Sequence, residues 1–94
     1  MKTYRWSEAK NRLLRGERGI CFEDVVVAIE AGHLLDVLKH QNPVKYPRQS
    51  VFVVELDRYV YLVPYVEDAE SYFMKTIIPS RKATRDYLIK RDPS

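Results

Sequence analysis

The chain has 94 residues, 46% of them apolar and 31% charged, with a formal net charge of +3. This composition is globular rather than disordered, and the length suits one domain with one modest core. A single cysteine, Cys21, excludes an intramolecular disulfide and a multi-thiolate metal site; with no basic-then-apolar leader and no apolar run of about 18 residues, the expectation is a chain of the reducing cytoplasm with no membrane partner.

In chain order, "YRW" at 4–6 is a short aromatic stretch, and Ser7 is a good N-cap for a helix through about Arg15, with Gly16 and Gly19 around its stop. Phe22, Val25, Val26 and Ile29 follow at i, i+3, i+4 and i+7. They form the apolar stripe of a second helix, with Glu23 and Asp24 at its positive end and Gly32 as terminator. "HLLDVLKH" at 33–40 fits neither the helical nor the strand period cleanly; the preceding glycine favours a strand. "QNPVKYPRQ" is a proline-containing loop. "SVFVVEL" at 50–56 and "DRYVYLVPYV" at 57–66 read as a hairpin turning near Asp57 and Arg58, and "YFMKTII" at 72–78 as a further strand ended by Pro79. Pro64 has no N–H for a ladder, which predicts an edge strand or a bulge there. Ser80 then caps a last helix to about Lys90. The expected fold is α+β: two N-terminal helices, a three- to four-stranded mainly antiparallel sheet and a C-terminal helix, with the helices on one side of the sheet.

Charge is unevenly spread. Residues 1–20 carry six cations and two anions, 39–48 three cations and no anion, and 81–94 five cations and two anions; the acids concentrate in 21–37 and 49–80. Converging basic stretches would suit phosphates, whereas scattered ones would be an ordinary solvated surface. The phosphate-loop, zinc-binding and nucleophile-elbow signatures are missing, and Cys21, at the start of an apolar helix face, reads as a small core residue rather than a nucleophile.

The loop "KHQNPVKYPRQ" is more informative. It combines Lys39, His40, Lys45, Tyr46 and Arg48, and cleaving RNA without a metal needs a base, an acid and cations around the phosphorane. The alternative is a solvated loop with Tyr46 packed on the sheet. Tyr59, Tyr61 and Tyr65 share strand parity; such a face serves to stack bases, or as an amphipathic cover under a helix or a partner-binding patch. Arg81, Lys82 and Arg85 crowd the start of the last helix, where backbone N–H groups and guanidinium forks can together hold a phosphate. Asp86 is spaced for i,i+4 pairing with Lys82 and Lys90, which leaves Arg81 and Arg85 unpaired within the helix.

Two segments resemble the BrnT toxins, small ribonucleases of bacterial toxin–antitoxin pairs with a RelE-like fold. "WSEAK" at 6–10 and "GICFED" at 19–24 are similar to that family's Trp-x-x-x-Lys and Gly-Val-x-Phe-Glu-Glu opening, with Arg18 as the basic residue before the glycine. "IIPSRKATRDY" at 77–87 is similar to its closing Ile-Ile-Ser-Ala-Arg-Arg-Ala-Thr segment. The middle departs: where the family has a His and then Glu-x-Arg, this chain has His40 and then Tyr46-Pro47-Arg48. The resemblance implies an mRNA-cleaving toxin with an RNA substrate, held inactive by a cognate antitoxin, as a hetero-complex or a homo-oligomer. Together the two lines of reading name His40 and Tyr46 for acid–base work, Arg48 and Arg81 for the scissile phosphate, and Lys10, Lys45 and Arg85 for positioning RNA, with no metal and no cofactor. A non-catalytic module that binds RNA or protein through the same groove is the alternative.

Overall fold

The structure is a computed structural model that describes residues 2–89. Strand β1 (Thr3–Arg5) leads into helices α1 (Glu8–Arg18) and α2 (Phe22–Glu30). Strands β2 (Leu34–Lys39), β3 (Gln49–Leu56), β4 (Tyr59–Glu67), β5 (Ser71–Met74) and β6 (Ile78–Pro79) follow, and the C-terminal helix opens with α3 (Arg81–Thr84) and widens into a π-helical turn over Arg85–Ile89. The strands build one sheet in the order β1-β5-β4-β3-β2, with β6 also against β4. The sheet is mixed, because β1 runs parallel to β5 while the other pairs are antiparallel. The fold is α+β, as expected, with a wider sheet.

Local chemistry explains the boundaries. The Ser7 side chain accepts the Lys10 N–H at the start of α1, and Gly19, at φ 66°, closes that helix by donating to the Arg15 carbonyl. At the end of α2, His33 N–H reaches the Ala28 carbonyl and Gly32 N–H the Ile29 carbonyl, a Schellman ending that needs the left-handed Gly32 (φ 91°). Asp57 and Arg58 both have positive φ, so the β3–β4 hairpin closes with the backbone handedness that its twist favours, without a glycine.

Pro64 lies within the central strand β4, opposite Val51. It is tolerated because its N–H side faces the break between β5 and β6, where its carbonyl accepts the Lys75 N–H at 2.8 Å. The single strand expected over 72–78 is interrupted at this point.

The helices do not share one side of the sheet. Phe52, Val54, Val63 and Tyr65 pack with Leu14, Ile20, Phe22, Val25 and Ala28 of the N-terminal layer in the larger core. On the opposite face Val53 and Val60 meet Ala83 of the C-terminal helix, with Leu35, Leu62, Tyr87 and Leu88 around them. The physical reason is that β3 and β4 carry apolar residues at both parities, so both faces need a cover. Asn11, only 1% exposed, ties the N-terminal layer together: its Oδ1 accepts the Phe22 N–H at 2.7 Å and its Nδ2 donates to Glu23 at 2.8 Å.

Candidate nucleic-acid interface

Among the described residues, the C-terminal helix covers only part of its face. Register places Val51 of β3, Pro64 and Val66 of β4, Phe73 of β5 and Arg5 of β1 on this side, where the four apolar residues are half-buried and Arg5 is exposed. His40 follows β2 and donates its N–H to the Gln49 carbonyl, which puts it on the same side.

The loop after β2 folds back onto this corner. Tyr46 N–H donates to the Asn42 carbonyl, and the Tyr46 ring lies 4.4 Å from the His40 ring. Lys45 Nζ sits 5.4 Å from the centre of the Tyr46 ring, a cation–π distance. Asn42 N–H donates to His40 Nδ1 at 3.0 Å. An accepting Nδ1 carries no proton, so in the neutral imidazole the hydrogen is on Nε2 and is available to an anion.

His40, Lys45 and Tyr46 thus form one cluster, with Arg48 exposed beside them. Arg48 and Arg81 are not brought together. The Arg48 carbonyl accepts from Glu67 N–H at one end of β4, and Ser80 N–H donates to the Val60 carbonyl near the other. Seven strand residues separate these anchors by about 23 Å, so the backbone does not bring the two arginines to one point. Arg85, at the start of the π-helical turn on the same face of the sheet, pairs with its neighbour Asp86 at 3.6 Å rather than standing unpaired. The expected partner Lys90 is outside the described residues. Lys10 belongs to the first turn of α1, in the layer on the other side of the sheet.

Arg5 was not singled out in the sequence because the three-residue β1 has no readable period; only its parallel pairing with β5 shows its side of the sheet. The tyrosine face resolves as cover: Tyr65 is buried with its ring 3.9 Å from Phe52, and Tyr61 packs at the edge of the same core. Cys21 precedes α2, where Asp24 accepts its N–H, and burial pushes its thiol above the ordinary range, away from an activated thiolate. Arg18 is a tie, its guanidinium donating to the Ile77 carbonyl at 2.6 Å, and it lines an open cleft of about 590 Å³ with His33, Asp57 and Tyr61. Among the described residues no trio of His, Cys, Asp or Glu is placed to hold a metal ion, and no helix is long and apolar enough to cross a membrane. Comparison with protein-family models, with curated proteins and with solved structures gives no match.

Proposed function

We propose that this chain is an endoribonuclease toxin of a toxin–antitoxin pair, with a RelE-like fold, acting on mRNA in the cytoplasm through the open half of its sheet. The observation that carries this reading is the His40–Tyr46 contact with Lys45 beside it, at the rim of an apolar floor. Cleavage proceeds by attack of a ribose 2′-hydroxyl on the adjacent phosphorus. It forms a cyclic phosphate and releases a 5′-hydroxyl, with one proton removed from the nucleophile and one delivered to the leaving oxygen. His40 donates Nε2–H as a hydrogen bond to a non-bridging phosphate oxygen, and the Tyr46 hydroxyl gives its proton to the leaving 5′ oxygen. Solvent water takes the proton of the 2′-hydroxyl and afterwards returns one to Tyr46, and Lys45 and Arg48 offset the charge that develops. Arg81 and Arg85 hold flanking phosphates rather than the scissile one, which revises the role that sequence alone assigns to Arg81. Phe73 and the exposed Arg5 extend the track. A cognate antitoxin would act by covering this face.

The second reading, a binding module without catalysis, is favoured by one specific observation: tyrosine stands at position 46 where the resembling family has glutamate. The experiment is expression of the chain alone in a bacterial host, following growth and total RNA, beside His40→Ala, Tyr46→Phe and Arg81→Ala. The toxin reading expects arrest with RNA fragments, abolished by the first two changes and only weakened by the third. Salt-dependent RNA binding by the purified protein with intact RNA and normal growth would replace it with the binding module.

A further inference from the structure

We propose that a second copy of this chain pairs along the free edge of β2, antiparallel and across a twofold axis at Leu38. β2 ends the sheet order, so among the described residues one side of it faces no strand. Because His40 N–H points inward to the Gln49 carbonyl, alternation turns the N–H and C=O groups of Val37 and Lys39 outward. The Val37 N–H is indeed outside the ladder, held at 2.8 Å by the carboxylate of its own neighbour Asp36. Two large apolar side chains stand exposed along this strand, Val37 at 45% and Leu38 at 42%.

Charge complementarity selects both the occupant and the register. An antiparallel pair of identical strands related by a twofold axis must place a residue opposite itself. Centred on Leu38, the pairing sets Leu38 against Leu38, Asp36 against His40 and Val37 against Lys39, each twice. Asp36, Leu38 and His40 share one face, the face that also carries Val53, Val51 and Gln49. The row is therefore self-complementary, an apolar centre flanked by two carboxylate–imidazole pairs. The imidazole is in the matching form, since Asn42 N–H occupies Nδ1 and leaves Nε2–H to donate to Asp36 of the second copy. In the same step Val37 N–H passes from Asp36 to the Lys39 carbonyl of the other strand, which releases the carboxylate oxygen that had capped it. Centred on Val37 instead, the pairing would set Asp36 against Leu38 and leave both carboxylate–imidazole pairs unmade, with Leu35 against Lys39 no better matched than Val37 against Lys39 is in the favoured register.

The edge is bulged between Leu34 and Asp36, which limits pairing to the stretch beyond the bulge and leaves room for the four edge hydrogen bonds of Val37 and Lys39. The Nε2–H of His40 serves either the second copy or a phosphate, so the dimer is the form in which His40 is withdrawn from RNA.

The test is sedimentation of the full chain without RNA, so that it stands apart from the nuclease reading. A concentration-dependent dimer is expected, and Val37→Pro, which removes an edge donor at a position where proline is tolerated, should sediment as a monomer with an unchanged circular dichroism spectrum. In a Cys21→Ala background, Leu38→Cys should form an intermolecular disulfide on mild oxidation, since directly opposed residues of this kind lie about 4.5 Å apart at Cα, within the bridging range. Val37→Cys, offset from its own copy, should not. A wild-type monomer at the highest soluble concentration, or cross-linking through Val37→Cys but not Leu38→Cys, overturns the proposal.

Discussion

The two faces of the sheet are built to different standards. Under α1 and α2 the core is continuous, from Leu14 through Phe22 and Phe52 to Met74 and Ile77, with Tyr4, Trp6 and Tyr72 extending it along the edge. Under the C-terminal helix the cluster is small, and hydrogen bonds of the described residues fasten the helix to the sheet. Ser80 N–H donates to the Val60 carbonyl, Val60 N–H donates to the Thr84 hydroxyl at 2.9 Å, and the Tyr87 hydroxyl donates to Asp36 at 2.7 Å. One face resists opening because many apolar atoms would be exposed at once, and the other is a local attachment that leaves part of the described sheet surface uncovered. Stability and the candidate site are thereby separated by the thickness of one sheet.

The sharpest way to break this comparison is to truncate each side. Phe22, fully buried and stacked near Trp6, should cost about 3–5 kcal/mol as Phe22→Ala in denaturant unfolding. Asn11→Ala should cost about 1–3 kcal/mol, because it leaves the buried Phe22 N–H without an acceptor. Thr84→Val on the other face should cost about 1 kcal/mol and raise amide exchange at Val60 and along the C-terminal helix without affecting α1 and α2. A loss at Thr84 as large as that at Phe22 would show the two covers to be equally integral.

The smallest effect concerns acid. Asp68 in the β4–β5 turn accepts the N–H groups of Glu70 and Ser71, which hold its carboxyl below the ordinary range. The folded state then binds fewer protons than the unfolded one, so stability rises with pH in this window. The contribution is present above the ordinary aspartate range and is lost as pH falls through the lower folded value. Asp68→Asn should flatten that part of the acid-unfolding curve by lowering stability slightly at neutral pH while leaving it nearly unchanged at low pH.

The chain's own chemistry determined a good deal of this. Ser7 and Ser80 marked the helix starts, Gly32 marked the end of α2 and the apolar spacing from Phe22 to Ile29 marked its buried stripe, because caps and periodicity act within a few residues. The β3–β4 hairpin was legible for the same reason, whereas the strand over 33–40, which has no clean period, was legible only from the glycine before it. The proximity of His40, Lys45 and Tyr46 followed from their sharing one loop.

Only the tertiary structure decided which face each piece occupies. β1 is too short to show a period, and its parallel pairing with β5 joins residues far apart in sequence. The apolar residues at both parities of β3 and β4 require a cover on each face, which the expectation of helices on one side missed. The cations of α1, of the loop after β2 and of the C-terminal helix look alike in sequence, yet the sheet places Lys10 on one side and Arg81 on the other, and separates Arg48 from Arg81 along the length of β4. Long-range register carries that information, and it is set by the burial of both faces together rather than by any local residue preference.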